Sequence, residues 1–339
     1  PSDFSILTSE AAFAGSEWIG AITRKDARIP EGRKYHGSEL KKPEAKAAWD
    51  AVDTLAKKSI YLRREFLVAK NVKVATAYVC GLGFYEFSLN GEKVGDSEFA
   101  PLWSDYDKSV YYNTYDVTSQ VKKGGNAIGV LLGNGFYNVQ GGRYRKLQIS
   151  FGAPTLRFRM VVNYEDGTSE TIVSGKDWKY DFSPVLFNCI YGGEDYDARR
   201  EQKGWNMFGF KEQDWHPVVI QEAPKGVLRP QIAQPVKIME RYEIRKMTKL
   251  PAEQITAACK SPKRTVDPSA FVLDMGQNLA GFPEITVRGK KGQKITLLVS
   301  ESLTDEGACN QRQTGRQHYY EYTLKGEGVE TCHHRLSFY

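Results

Sequence analysis

Two short runs place acidic side chains two residues apart: Asp105 and Asp107 in WSDYDKS, and Asp195 and Asp197, with Glu194 beside them, in GGEDYDARRE. Residues two apart on a strand point to one face, so each pair can aim oxygen donors at a hard cation such as Ca²⁺. A calcium ion takes about six to eight oxygens, and each run offers two or three. The competing reading pairs Asp197 with Arg199 or Arg200 and gives Asp105 and Asp107 to a turn. Aromatic residues stand beside the acids, Trp103 and Tyr106 near the first run and Tyr191, Tyr196 and Trp205 near the second. An aromatic ring offers a platform to the C–H face of a sugar, while carboxylates and amides take its hydroxyls. On this chemistry Trp103, Asn134, Tyr196 and Trp205 are candidate carbohydrate contacts. Asp105, Asp107, Glu194, Asp195 and Asp197 are candidate Ca²⁺ ligands, and no cofactor is required. For any single aromatic, core packing is the alternative.

Other chemistries find less. Glycoside hydrolysis needs two carboxyl groups facing each other across the bond, about 5–5.5 Å apart for retention or 6.5–9.5 Å for inversion. Sequence spacing does not reveal such a pair among 41 acidic residues, so no catalytic carboxylate is assigned. There is no GxSxG elbow, and His36, His216, His318, His333 and His334 show no metal-ligand spacing. The strings GLGFYE from Gly81 and GNGFYN from Gly133 lack the third glycine and the following helix of a dinucleotide fingerprint, and read as sheet turns. Cys80, Cys189, Cys259, Cys309 and Cys332 are odd in number and far apart. That pattern suits free, buried thiols better than a zinc site or a disulfide framework.

The 47 basic and 41 acidic residues are interspersed, giving a formal charge of +6 without the concentrated basic face of a nucleic-acid reader. No window approaches the roughly 18–20 apolar residues of a membrane span, so a soluble chain is expected. Its start at Pro1 suggests that a leader or flanking sequence has been removed. An exported destination, periplasmic or extracellular, would suit a polysaccharide-degrading protein, although no residue specifies it.

The elements that must position these side chains are mostly strands. Residues 1–57 form an N-terminal elaboration with one helix in PEAKAAWDAVDTLAKK from Pro43, where Trp49, Val52 and Ala56 recur at helical spacing. From Ile60 onward, short alternating segments separated by turn signals predict an all-β tandem of jelly-roll-like β-sandwiches. Asn90-Gly91 predicts a tight hairpin and Glu165-Asp166-Gly167 a second one. Pro217, Pro224, Pro230 and Pro235 mark an extended crossing. The expected domains are therefore 58–229 and 230–339. The last ends in strand-like sequence at Tyr339, which implies that the natural chain continues.

Several strings together, GFYEFSLNGEKVG, APLWSDYDKSVYYNTYDVT, LLGNGFY, VLDMGQNLAGFPEITVRGKKGQKITL, ESLTDEG and YTLKGEG, resemble the non-catalytic β-domains of bacterial α-L-rhamnosidases over residues 58–339. The resemblance implies a rhamnose-binding-like jelly roll, then a β-sandwich that leads into an (α/α)₆ barrel carrying the acid and base of an inverting hydrolysis. It implies rhamnose-containing glycans as partners, a parent enzyme whose barrel is missing here, and no turnover by this segment alone. Some family members bind rhamnose through Ca²⁺. Two alternatives stay open: an autonomous carbohydrate-binding or scaffold protein, and the N-terminal part of a lyase acting on rhamnose-containing polysaccharide.

Overall fold

The computed structural model describes residues 9–30, 34–36, 38–143, 147–251, 270–305, 307–311 and 317–339. Cys259 lies outside them. The main strands are β1 (Ile60–Val68), β2 (Val72–Leu82), β3 (Tyr85–Leu89), β4 (Ser109–Asp116), β5 (Gly124–Leu132), β6 (Thr155–Tyr164), β7 (Ser169–Val173), β8 (Lys179–Phe182), β9 (Val185–Cys189), β10 (Gly193–Asp197), β11 (Val227–Pro230), β12 (Glu284–Arg288), β13 (Lys294–Leu298), β14 (Tyr319–Thr323) and β15 (Val329–His333). No helix among the described residues is long and apolar enough to cross a membrane. The all-β expectation holds.

Two sheets form the first sandwich. One runs β6-β2-β4-β11, with Ile19–Gly20 and β7 also on β6, and the other runs β8-β1-β5-β3. Strict alternation along β6 turns Leu156, Phe158, Met160 and Val162 inward. They meet Leu62, Phe87, Ile128 and Val130 from the facing sheet, around fully buried Trp178. Each such side chain contributes about 1.5–3 kcal/mol by leaving water, so the inward face of every central strand is held in register.

The turns follow the residue chemistry. Asn90 and Gly91 both take positive φ, 53° and 88°, joining β3 to Glu92–Lys93 as a two-residue hairpin requires. The Gly-rich strings of β2 and β5 abut each other, and a Cβ on Gly83 would fall 2.0 Å from the Gly133 carbonyl oxygen. Close backbone approach, not phosphate binding, explains both.

The N-terminal helix is shorter than its periodicity predicts. It spans α1 (Pro43–Asp50), and a 3₁₀ turn follows at Thr54–Lys57. Asp53 breaks the run because its side chain accepts from Leu55 N–H while its own N–H donates to the Ala27 carbonyl. Trp49, Val52 and Ala56 are nonetheless buried together.

The proline-rich run is extended, and part of it joins the first sandwich, since β11 lies parallel to β4. Pro217 and Pro230 close edge strands, where a missing N–H costs no central ladder bond. Further on, β13 and β14 share a sheet with β9 and β10, with β10 parallel to β14. That sheet and the β12-β15 ladder close over Ala198, Tyr322, Leu324 and Cys332. Cys80, Cys189 and Cys332 are buried free thiols, and Cys309 is half-buried.

Candidate functional site

The first acidic pair sits in a turn rather than on a strand. Asp105 accepts from the Asp107 N–H at 3.3 Å and pairs with Lys108 at 3.1 Å.

The second acidic set is on β10, and alternation sends its members to different surroundings. Glu194 is wholly buried, although a charge there needs compensation. It receives N–H bonds from Leu336 at 2.8 Å and Arg335 at 3.2 Å, and the His334 Nδ1 stands 3.3 Å away. Asp195 pairs with Arg143, whose guanidinium lies over the Phe187 and Tyr319 rings. Asp197 holds Arg199 through two oxygens at 2.7 and 2.8 Å and caps the following 3₁₀ turn. These bonds, the Arg199 side chain first, hold the Asp197 carboxyl below its ordinary range despite the opposing effect of burial.

Among the described residues these carboxylates are not gathered into one calcium site. Asp105, Glu194, Asp195 and Asp197 are each engaged by a cation or by backbone N–H groups, and among the described residues no group of three or more His, Cys, Asp or Glu side chains is placed to hold a metal. Glu194 instead fastens the chain after β15 onto β10. Replacing one of its oxygens by an amide turns a donor toward backbone donors, so Glu194→Gln is expected to lower stability by about 1–3 kcal/mol. Urea unfolding followed by fluorescence measures that loss.

The candidate sugar contacts separate in the same way. Asn134 is buried and its amide is used inside the fold: Nδ2 donates to the Lys57 and Asn188 carbonyls at 3.0 and 3.2 Å, and Oδ1 accepts from Asn138 at 2.7 Å. Trp205 stacks on Tyr61, with centroids 3.9 Å apart and planes 15° apart, and Trp215 lies beside both. Tyr196 stacks on Tyr322 and donates its hydroxyl to Glu201 at 3.0 Å.

Trp103 differs from these. It is 66% exposed, whereas the other five tryptophans are buried or half-buried. Its ring leans on Phe136 at 5.5 Å, and Phe136 in turn meets Tyr191 at 6.2 Å. The result is an indole supported on one side by Phe136 and open to solvent. Sequence reasoning missed Phe136 as its support, although GNGFYN contains it. It also missed Arg63 and Arg143, which no local pattern distinguishes from surface arginines.

Comparison with known proteins bears on both halves of the chain. Residues 70–240 match the α-L-rhamnosidase N-terminal domain, and residues 264–339 match the bacterial α-L-rhamnosidase concanavalin-like domain. An α-L-rhamnosidase of Formosa agariphila is 32% identical over 98% of this chain and 34% of its own length. The structure of α-L-rhamnosidase from Dictyoglumus thermophilum superposes with a TM-score of 0.74 at 30% identity, covering 96% of this chain and 33% of that one. The Streptomyces avermitilis α-L-rhamnosidase, solved in complex with L-rhamnose, gives 0.71 at 35% identity over 85% of this chain and 27% of that one. The chain thus spans about a quarter to a third of the length of the curated relatives it matches.

Proposed function

The chain belongs to the family of the bacterial α-L-rhamnosidase N-terminal domain, and on that premise we propose that it is the β-sheet support of a glycoside hydrolase that removes terminal α-L-rhamnosyl groups by inversion. The observation that carries this reading is the succession of two family regions, 70–240 and 264–339, over a fold shared with α-L-rhamnosidases. The relatives' greater length supports placing the acid and base on a part of the polypeptide outside this one. The engagement of Glu194, Asp195 and Asp197 in internal pairing supports the same placement. Purified 1–339 is expected to release no p-nitrophenol from p-nitrophenyl α-L-rhamnoside above the buffer rate, while the complete polypeptide does so. Turnover by 1–339 itself would sink the reading.

A second role is favoured by Trp103. Its open indole, propped by Phe136, suits the apolar face of a pyranose ring in a rhamnose-containing glycan. In calorimetric titration with rhamnose-containing oligosaccharide, Trp103→Ala is expected to weaken binding roughly tenfold, the loss of about 1.4 kcal/mol of stacking. Addition of EDTA is expected to leave the affinity unchanged. Equal affinities for the parent and Trp103→Ala would remove the platform.

A further inference from the structure

Between the β12-β15 ladder and the paired strands Lys246–Lys249 and Phe271–Asp274 lies an open trough. Val236, Ile238, Met239, Ile244, Phe271 and Leu273 line it, each from 39% to 85% exposed. Contiguous exposed apolar surface of this kind marks a contact site. Among the described residues each of these two ladders has two strands, so each presents an open edge there, and a two-stranded ladder is marginal in water by itself.

The backbone at the rim indicates what fits. Gly281 N–H donates to the Tyr339 carbonyl at 2.8 Å, and Tyr339 N–H donates to the Gly281 carbonyl at 2.7 Å. This mutual exchange is the hydrogen-bonded pair of an antiparallel ladder. The next residues on the Gly281 side, Gln277 to Ala280, also line the trough. Gln277, Asn278, Thr296 and Glu301 stand among the apolar lining side chains, and an extended peptide needs a backbone edge with alternate apolar pockets, of which the rim supplies the edge.

We infer that the trough seats an extended segment of the same, longer polypeptide, added antiparallel along Gln277–Gly281 in continuation of the Gly281–Tyr339 pair, with every second side chain turned into the apolar floor. The inference rests on the reading that this chain is part of a longer hydrolase, and it names the surface through which the rest of that protein docks.

Amide hydrogen exchange on the complete polypeptide and on 1–339 tests it. The amides of Leu279 and Leu273 are expected to exchange at least tenfold more slowly in the complete protein. Leu273→Asp in that protein is expected to restore fast exchange at Leu279 while leaving β2 and β6 protected. Equal exchange in both proteins, with the complete one active on rhamnoside, would overturn the seat and spare the function. A protected trough in a complete protein without rhamnosidase activity would support the seat and sink the function. Protection in 1–339 that grows with concentration alongside a sedimenting dimer would assign the trough to a second copy and overturn the inference.

Discussion

Replacing Arg63 with alanine is expected to cost about 3–5 kcal/mol of unfolding free energy, the penalty for breaking a buried, hydrogen-bonded ion pair on one side. Arg63 stands on the outer face of β1, opposite Gly129 of β5, and its side chain has no exposure. Gly129 leaves room for the segment carrying Trp205 and Asn206 to land on the sheet, since a Cβ there would meet Asn206 at 2.5 Å. The guanidinium then serves every group that segment brings. It donates to the carbonyls of Trp205 and Met207 at 2.8 and 3.1 Å, pairs with Glu65 and Glu212, and faces the rings of Phe210 and Trp215. Alanine leaves two carbonyls without their donor and Glu65 without its cation, while Glu212 keeps only Lys179 at 3.2 Å. Lysine keeps the charge but not the fork, so Arg63→Lys should lose a smaller part. Urea unfolding gives the free energies, and limited proteolysis between residues 201 and 215 reports whether the segment lifts. An Arg63→Ala protein within about 1 kcal/mol of the parent would show that the fork is dispensable.

The second large effect is on acid stability. His318 is 5% exposed, its Nε2 is 3.2 Å from the Tyr320 hydroxyl, and its ring meets Tyr339 edge-on at 5.0 Å. Burial first, and then the Arg143 charge, bring its pKa from 6.5 down to about 4. Between those values the unfolded chain binds the proton and the folded chain does not. The stability that comes from keeping this ring neutral is therefore complete above pH 6.5 and is lost as pH falls through 4. The full difference is on the order of 3 kcal/mol. His318→Phe keeps a ring in the site and removes the titration, so the slope of stability against pH between 6.5 and 4 should flatten. The slope that remains comes in part from His333, which burial also lowers. An unchanged slope in the variant would place the acid sensitivity elsewhere.

How far the sequence could be read depended on whether the cause was local. Alternation in TLRFRMVVNYEDG corresponds to β6 with its buried Leu156, Phe158, Met160 and Val162, and Asn90-Gly91 to a hairpin at both positive φ values. The helix end at Asp50 was less legible, because the carbonyl of Ala27, far away in sequence, takes the Asp53 N–H. The acidic and aromatic candidates were recognisable as chemistry but not as geometry. Glu194 and Asp195 are neighbours, yet one meets the backbone after β15 and the other meets Arg143, and only tertiary structure decides between such partners. Trp103 and Trp205 look alike in sequence. Trp205 stacks on Tyr61, whereas Trp103 leans on Phe136 and keeps 66% exposure.

The parallel pairing of β10 with β14 joins stretches more than a hundred residues apart in one ladder. A recombination crossover in the proline-rich run would separate two neighbouring strands and strip five consecutive residue pairings, Gly193 with Tyr319 through Asp197 with Thr323. The halves are therefore poor candidates for exchange between genes as interchangeable cassettes. Inheritance should carry them as one block, and drift on either side of that seam should be matched on the other.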